Sequence, residues 1–167
     1  FFVVLAGIIF RGVFPEHMVF SASDLNIGRL AEKKYALPEL LTGCFSANQV
    51  MGSSGYEFSL FHILLAIFPL TFFANFIYPL ILVTGSLAMV WFLRIWERCW
   101  IASIIGAIIS FWFNSILLAS AGHAYKMEVL ALSVLSLAFI EKNIRTKSIR
   151  GALGYSLLAG ITIGFMM

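Results

Sequence analysis

The sequence predicts an all-α fold, a polytopic transmembrane helical bundle with a long extracytoplasmic first loop that carries short amphipathic helices. Two observations lead to this prediction. Hydrophobic residues make up 61% of the 167 residues and charged residues only 11%, whereas soluble domains contain about 25% charged residues. The apolar residues also lie in long runs separated by short polar connections, a pattern typical of helices that cross a bilayer repeatedly.

The chain opens with an apolar run, residues 1–10, that fits either the end of a first span or the end of a signal sequence. Residues 11–57 follow as the longest polar stretch and hold five of the eight acidic residues. Because the chain begins at Phe1 without a Met and ends at Met167 inside an apolar run, we expect it to be part of a longer protein.

Two short amphipathic helices are predicted within residues 11–57. Ser21 and Asp24 have the spacing of a helix start, with Ser21 as N-cap and Asp24 near the positive end of the helix dipole. This helix is expected to run to about Tyr35. Residues 37–43 predict a second helix, with Pro in its first turn and Gly just past its end.

Five apolar segments follow the loop. Residues 58–72 are shorter than the roughly 20 residues that a crossing helix needs, so we expect an interfacial helix there. The later segments are predicted as spans at 75–93, 100–118 and 125–140 and as an incomplete span at 151–167.

Basic residues in two short loops predict the orientation. The loop at 94–99 has two Arg against one Glu, and the loop at 141–150 has four basic residues against one Glu. The positive-inside rule makes both loops cytoplasmic, which places residues 11–57 and 119–124 on the extracytoplasmic side. A full crossing by residues 58–72 would instead put the long loop inside, and we favour the first arrangement.

Composition and motifs exclude several classes of function. The net charge of +3 is small and scattered, and the chain has no basic stripe with interleaved aromatics, so nucleic-acid binding is not expected. Cys44 and Cys99 lack CxxC spacing and fall in opposite predicted compartments, which argues against a disulfide and a structural zinc site. Nucleotide-binding, serine-hydrolase and zinc-protease motifs are also absent from the sequence.

Asp24 is the first candidate for chemistry. A carboxylate outside the membrane can take a proton from an acceptor group or hold a cation. An Asp in the first turn of a helix also serves simply as a capping residue, and the residues alone leave both roles open.

A second candidate group lies at the predicted outer end of two spans. His123 and Lys126 are three residues apart and share a helix face, whereas Glu128 is about 140° round from His123. Ionisable groups at membrane depth usually mark a polar cavity or pathway. The alternative is that Lys126 extends to the lipid headgroups and His123 bonds a backbone carbonyl.

Other polar and aromatic residues are interpreted structurally. His62 is accounted for by an interfacial helix, and Asn114 fits either the same cavity or an interhelical hydrogen bond. Residues 160–164 match the small-xxx-small helix-packing pattern. The four tryptophans are interpreted as interface anchors or lipid-facing residues: Trp91, Trp96, Trp100 and Trp112.

Several short motifs, taken in order, suggest a family. They are Ser23-Asp24, the Leu-Pro-x-x-Leu-Thr-Gly stretch at 37–43, Met-Gly-Ser-Ser-Gly at 51–55 and Gly-His-Ala-Tyr-Lys at 122–126. This order resembles the N-terminal part of the YfhO-type bacterial membrane proteins. These are similar to the GT-C superfamily of polytopic glycosyltransferases.

The resemblance implies a membrane glycosyltransferase of the bacterial cytoplasmic membrane. It would move a sugar from a polyprenyl-phosphate donor to an extracytoplasmic envelope acceptor, with Asp24 at the position of the catalytic acid. His123, Lys126 and Glu128 are the candidate substrate-binding residues, a role that no family motif assigns to them. The resemblance makes a divalent cation one candidate cofactor. Ala22 stands where the paired acidic motif would have its first acid, so metal dependence and activity both stay open. The expected partners are the lipid bilayer and the donor.

Two other classes of function stay open. A transporter or lipid flippase would use the same ionisable residues to line a pathway. In a non-catalytic membrane assembly protein, Asp24 would be only a helix cap. We expect the 167 residues alone to be inactive in glycosyl transfer, because a GT-C site is expected to need further spans.

Overall fold

The computed structural model describes residues 1–12, 27–42, 60–113 and 124–166. This part of the chain is all-helical, without strands, as the sequence predicts. It forms seven helices, here numbered in chain order: α1 Phe2–Ile9, α2 Ile27–Thr42, α3 Leu60–Ile67, α4 Leu70–Ile95, α5 Trp100–Phe111, α6 Ala124–Arg145 and α7 Ile149–Gly164.

Helix α4 is the centre of the described structure. It packs against α1, α5 and α6, and α7 packs on the far side of α6. Its 26 residues span about 39 Å at 1.5 Å per residue. Among the described helices, α4 alone is both long and apolar enough to cross a membrane, while α5 and α7 are apolar but shorter.

The segment at 58–72 is not a single interfacial helix, and that prediction is wrong. Helix α3 ends at Ile67, and Pro69 adopts an extended conformation with φ −56° and ψ 142° before α4 begins at Leu70. Proline disfavours helical geometry in the preceding residue and suits the start of a helix. Because the break lies at Pro69, residues 70–74 belong to α4. The helix is therefore longer than the span predicted at 75–93.

The predicted break between two helices near Leu37 is also wrong. Helix α2 runs without interruption through Pro38 to Thr42. Leu30 and Leu37 lie two turns apart and are both buried in the core, so packing along one face holds the helix across the proline. The predicted helix start at Ser21 and Asp24 lies outside the described residues.

The remaining helices differ from prediction at their ends. Helix α5 stops at Phe111, and the last residues of the predicted 100–118 span lie outside the described residues. Helix α6 continues past the predicted residue 140 to Arg145, whose Nε lies 2.6 Å from Glu141 Oε1. An i,i+4 ion pair and a basic residue in the last turn both favour this extension.

The two basic loops meet at one end of the bundle. Arg145 Nη1 donates to the carbonyl of Ile95 at 2.8 Å, so α4 and α6 end side by side. Helix α7 returns antiparallel to α6, and Asn143 Nδ2 donates to Ser156 Oγ at 3.0 Å. Helices α2 and α3 lie at the opposite end, beside the starts of α4 and α6.

Helices α4 and α5 are joined by a close, partly polar contact. Trp112 is only 9% exposed, and its indole N–H donates to Ser86 Oγ at 2.9 Å. The interpretation of Trp112 as an anchor or lipid-facing residue is therefore wrong. Its indole is buried because its single N–H donor finds a hydroxyl on the neighbouring helix.

The small-residue pattern at 160–164 makes no close helix contact in the described structure. Added Cβ atoms at Gly160 and Gly164 would meet nothing within 4 Å, whereas Ala159 and Thr162 are the buried residues of α7.

Candidate functional site

The predicted site residues fall in two groups. Asp24 and His123 lie outside the described residues, so their positions stay predictions. Lys126 and Glu128 both belong to the start of α6, but Lys126 is exposed and Glu128 is 6% exposed. Residues two apart in a helix point in nearly opposite directions, and the structure does not bring these two side chains together.

Glu128 caps the start of α3. Its Oε1 atom accepts a hydrogen bond of 2.9 Å from the backbone N–H of Phe61, 67 residues away in the chain. The first N–H groups of a helix have no intrahelical acceptor and form the positive end of its dipole. The Glu128 side chain therefore provides an acceptor for the first turn of α3 and holds α3 against α6.

The second carboxyl oxygen of Glu128, Oε2, is also buried, but its hydrogen bonding differs from that of Oε1. Oε2 has no hydrogen-bond partner among the residues that the structure describes. Burying a polar oxygen without a partner is costly, so the hydrogen bond at Oε1 must offset part of that cost. Natural structures retain such an arrangement most readily where it serves a function.

A cavity of about 310 Å³ lies beside this cap, between α3, α4 and α6. Leu60, Ile77 and Leu132 are typical of its apolar lining, and among the described residues Glu128 is the ionisable one. Thr84 also lines it, but its hydroxyl donates to the carbonyl of Leu80 in its own helix at 2.8 Å. Volumes of this order are found at small-molecule sites that combine apolar walls with a few polar groups.

Sequence reasoning missed the burial of His62, which neighbours the Glu128 cap. It follows Phe61 in α3 and is buried. Burial, together with the positive charge of Lys33, lowers the pKa of His62 to about 4. The imidazole is therefore neutral near pH 7 and is a weaker base there than an ordinary histidine. No sequence signal separates a buried His from an interfacial one in an apolar run.

Basic side chains of α2 approach the same end of the bundle. The ammonium of Lys33 lies 5.5 Å from the centre of the Phe61 ring. Lys34 Nζ donates to the carbonyl of Phe68 at 2.5 Å. This end of the bundle thus combines ammonium groups, a buried carboxylate and a neutral imidazole around apolar cavities. The ammonium groups of this set can attract an anion.

The described residues contain no group of three His, Cys, Asp or Glu that could hold a metal ion. A divalent cation would therefore depend on residues such as Asp24, which lies outside the described part. Metal dependence stays a prediction from the resemblance.

Comparison with known proteins adds no further assignment. No family model matches the chain, and searches of curated proteins and of solved structures found no match either. The resemblance to YfhO-type proteins is thus carried by the short motifs of the sequence alone.

Proposed function

We propose that this chain belongs to a multi-span glycosyltransferase of the bacterial cytoplasmic membrane. It would transfer a sugar from a polyprenyl-phosphate donor to an extracytoplasmic envelope acceptor. The observation that carries the proposal is the gathering of ammonium groups and a buried carboxylate around apolar cavities. They lie at the end of the bundle opposite the two basic loops.

Membrane placement is supported by apolar stripes on the outside of the shorter helices. Ile101, Ile105 and Ile109 follow one face of α5 and are all exposed. Leu153 and Leu157 form a similar exposed stripe on α7. Stripes of this kind are unfavourable in water but suit contact with lipid tails or further helices. We therefore propose that α4 to α7 all lie in the bilayer.

The orientation follows from the two ends of the bundle. Arg145 at the end of α6 donates to the carbonyl of Ile95 at the end of α4, so Arg94 and Arg98 lie at the same end of the bundle, and we place this end in the cytoplasm. Helices α2 and α3 then lie at the extracytoplasmic surface. A sugar donor whose lipid tail sits in the outer leaflet would present its phosphate to this surface.

The proposed reaction is an inverting-type transfer. The acceptor hydroxyl attacks the anomeric carbon of the sugar as the bond from that carbon to the donor phosphate breaks. Asp24 takes the proton of the hydroxyl, and His123 with Lys126 stabilises the charge that develops on the leaving phosphate.

Glu128 has a different part in this scheme. Its hydrogen bond is made to the backbone of α3, so we propose that it acts on a bound substrate by positioning α3. Its bond to Phe61 makes it a positioning residue that fixes α3 beside the cavity.

A lipid flippase or transporter is the second candidate. The observation that favours it is Glu128 itself, because an ionisable side chain buried among apolar helices often lines a transport pathway. In this case the protein would move a lipid-linked substrate without breaking a glycosidic bond.

The test uses the full-length protein in membranes. Asp24→Asn keeps the side chain's size and capping ability, and we expect it to abolish envelope glycosylation at unchanged protein abundance. Lys126→Ala is expected to raise the KM for the donor more than it lowers kcat. Glu97→Gln, at the exposed turn after α4, is the matched control and should retain activity.

Normal glycosylation by an Asp24→Asn protein present at wild-type levels would refute the catalytic assignment. Movement of the lipid-linked donor across proteoliposomes without sugar transfer would favour the flippase instead.

A further inference from the structure

A second, larger groove lies on the other side of α3. Its volume is about 440 Å³, and it is bounded by α1, α3 and α4. The described residues that line it are all apolar, and they include Val3, Leu64, Phe68, Phe72, Phe76 and Val83. The candidate reaction described above uses none of them.

The groove has the depth of one membrane leaflet. Its lining on α4 runs from Phe72 to Val83, which corresponds to about 16 Å at 1.5 Å per residue. The hydrocarbon core of a bilayer is about 30 Å thick, so one leaflet contributes roughly half of that. The groove begins where α4 begins, which is the extracytoplasmic surface in the proposed orientation.

Aromatic rings form one wall of the groove. The rings of Phe72 and Phe76 are stacked with centroids 4.3 Å apart, and the centroids of Phe68 and Phe72 are 5.3 Å apart. This wall follows the first turns of α4 and offers a continuous apolar surface to an extended chain.

A positive charge stands at the mouth of the groove. Lys34 Nζ donates to the carbonyl of Phe68, and Phe68 itself lines the groove. An ammonium group carries three donors, and this bond uses one of them. Lys33 precedes it on α2, and its positive charge acts on His62 of α3.

We propose that this groove binds one acyl chain of an anionic membrane phospholipid, with the lipid phosphate held at Lys34. The proposal rests on the membrane placement proposed above but not on glycosyl transfer. Charge complementarity decides the occupant, because a zwitterionic headgroup brings its own cation to compete with Lys34. A lysine near the membrane surface contributes about 1 kcal/mol to binding an anionic lipid.

Native mass spectrometry of the purified full-length protein in mild detergent tests the proposal. The probes are phosphatidylglycerol and phosphatidylcholine with identical acyl chains. We expect preferential retention of phosphatidylglycerol and an approximately fivefold loss of that preference in Lys34→Gln. Lys147→Gln, in the exposed basic loop at the other end, is the matched control and should bind like the wild type.

A second variant tests the groove itself. Gly7 lines the groove, and a Cβ added there would meet nothing within 4 Å. A larger side chain can therefore leave the backbone of Gly7 freely, and Gly7→Trp should narrow the groove from α1 and reduce retention of both lipids.

Four results would overturn the proposal. Equal retention of the two lipids, or unchanged selectivity in Lys34→Gln, would mean unspecific annular lipid only. Displacement of phosphatidylglycerol by a polyprenyl phosphate at lower concentration would assign the groove to the sugar donor. Retention unaffected by Gly7→Trp would mean that lipid binds elsewhere. A separate measurement of cysteine accessibility tests the membrane placement of the helices. It therefore distinguishes failure of that placement from failure of the lipid-binding proposal.

Discussion

Gly85 sets the distance between α4 and α5. A Cβ atom added at this position would lie 2.3 Å from Cε1 of the Phe111 ring, far closer than carbon atoms can approach without repulsion. Phe111 is itself 1% exposed, so its ring has little room to move aside. Because Gly85 has no side chain, the Phe111 ring can pack directly against α4. The same contact between α4 and α5 buries Trp112.

Gly85→Ala is expected to destabilise the protein by about 1–3 kcal/mol, the usual cost of overpacking a core. Gly160→Ala is the matched control, since its Cβ would meet nothing within 4 Å and alanine favours the helix. The free energy of unfolding in detergent micelles measures both. Phe111→Leu should restore part of the loss in Gly85→Ala. Equal stability of the two alanine variants would contradict this account.

His62 makes stability depend on pH. Its pKa is about 4 in the folded protein against an ordinary value of 6.5, so the unfolded chain binds the proton more readily. The stabilising contribution of the neutral imidazole is fully present above pH 6.5 and is lost as the pH falls towards 4.

We therefore expect the Tm of the wild-type protein to fall more steeply between pH 6.5 and pH 4 than that of His62→Gln. Thermal unfolding in the same detergent at several pH values measures the difference. His17→Gln controls for loss of a histidine elsewhere in the chain. Parallel curves for the wild type and His62→Gln would show that the imidazole does not titrate with a lowered pKa.

At the scale of elements, α3 depends on its neighbours. Its eight residues are too few to form a stable helix alone in water. Three contacts hold it: the cap from Glu128, the burial of Phe61 and Leu65, and the edge-to-face contact of Phe61 with Phe73, whose ring centres are 4.8 Å apart. Among these, the carboxylate bond is the directional one.

Glu128→Leu should loosen α3, because the Phe61 N–H loses its acceptor at a cost of about 1–3 kcal/mol. Amide hydrogen exchange in residues 60–67 is then expected to rise by roughly 10–100-fold. Glu128→Gln keeps a side-chain acceptor and should retain most of the protection. Residues 149–164 of α7 serve as the internal reference. Unchanged exchange in α3 of the Leu variant would show that packing alone holds it.

At the scale of the whole molecule, the ends of the bundle have distinct chemistry. One end carries arginines around the ends of α4 and α6, with Arg94 4.7 Å from the ring centre of Trp100 and Arg145 5.2 Å from that of Trp96. The other end carries lysines of α2, His62 and the Glu128 cap. Arginines that stack on tryptophans at a loop are typical of a membrane interface.

Cysteine accessibility in intact cells tests the proposed orientation. A single Cys at Ser46 should be labelled from outside, and one at Lys147 only after permeabilisation. The background lacks Cys44 and Cys99. Cys99→Ser suits it, because the Cys99 Sγ accepts from the Ala102 N–H at the start of α5 and serine is a preferred N-cap. The reverse labelling pattern would invert the topology.

The sequence by itself determined the all-helical class and most of the helix locations. Long apolar runs separated by short polar connections predict helices, and the charged clusters at 94–99 and 141–150 mark two helix junctions directly. These are local properties, readable from neighbouring residues. The exact helix ends depended on competition between local signals and packing, and here prediction failed. Pro69 broke a helix, whereas Pro38 did not, because Leu30 and Leu37 hold α2 in the core.

Only the tertiary structure decided which polar residues are buried and what they touch. The bond from Phe61 to Glu128 joins residues 67 positions apart, and that from Trp112 to Ser86 joins two helices across a buried contact. Nothing in the spacing of Lys126 and Glu128 told which side chain would be buried. The burial of Glu128 depends on where α3 packs against α6. That position depends on how closely the apolar surfaces of the helices fit together. The periodicity of the sequence predicts which residues share a helix face, but tertiary packing determines which residues that face contacts.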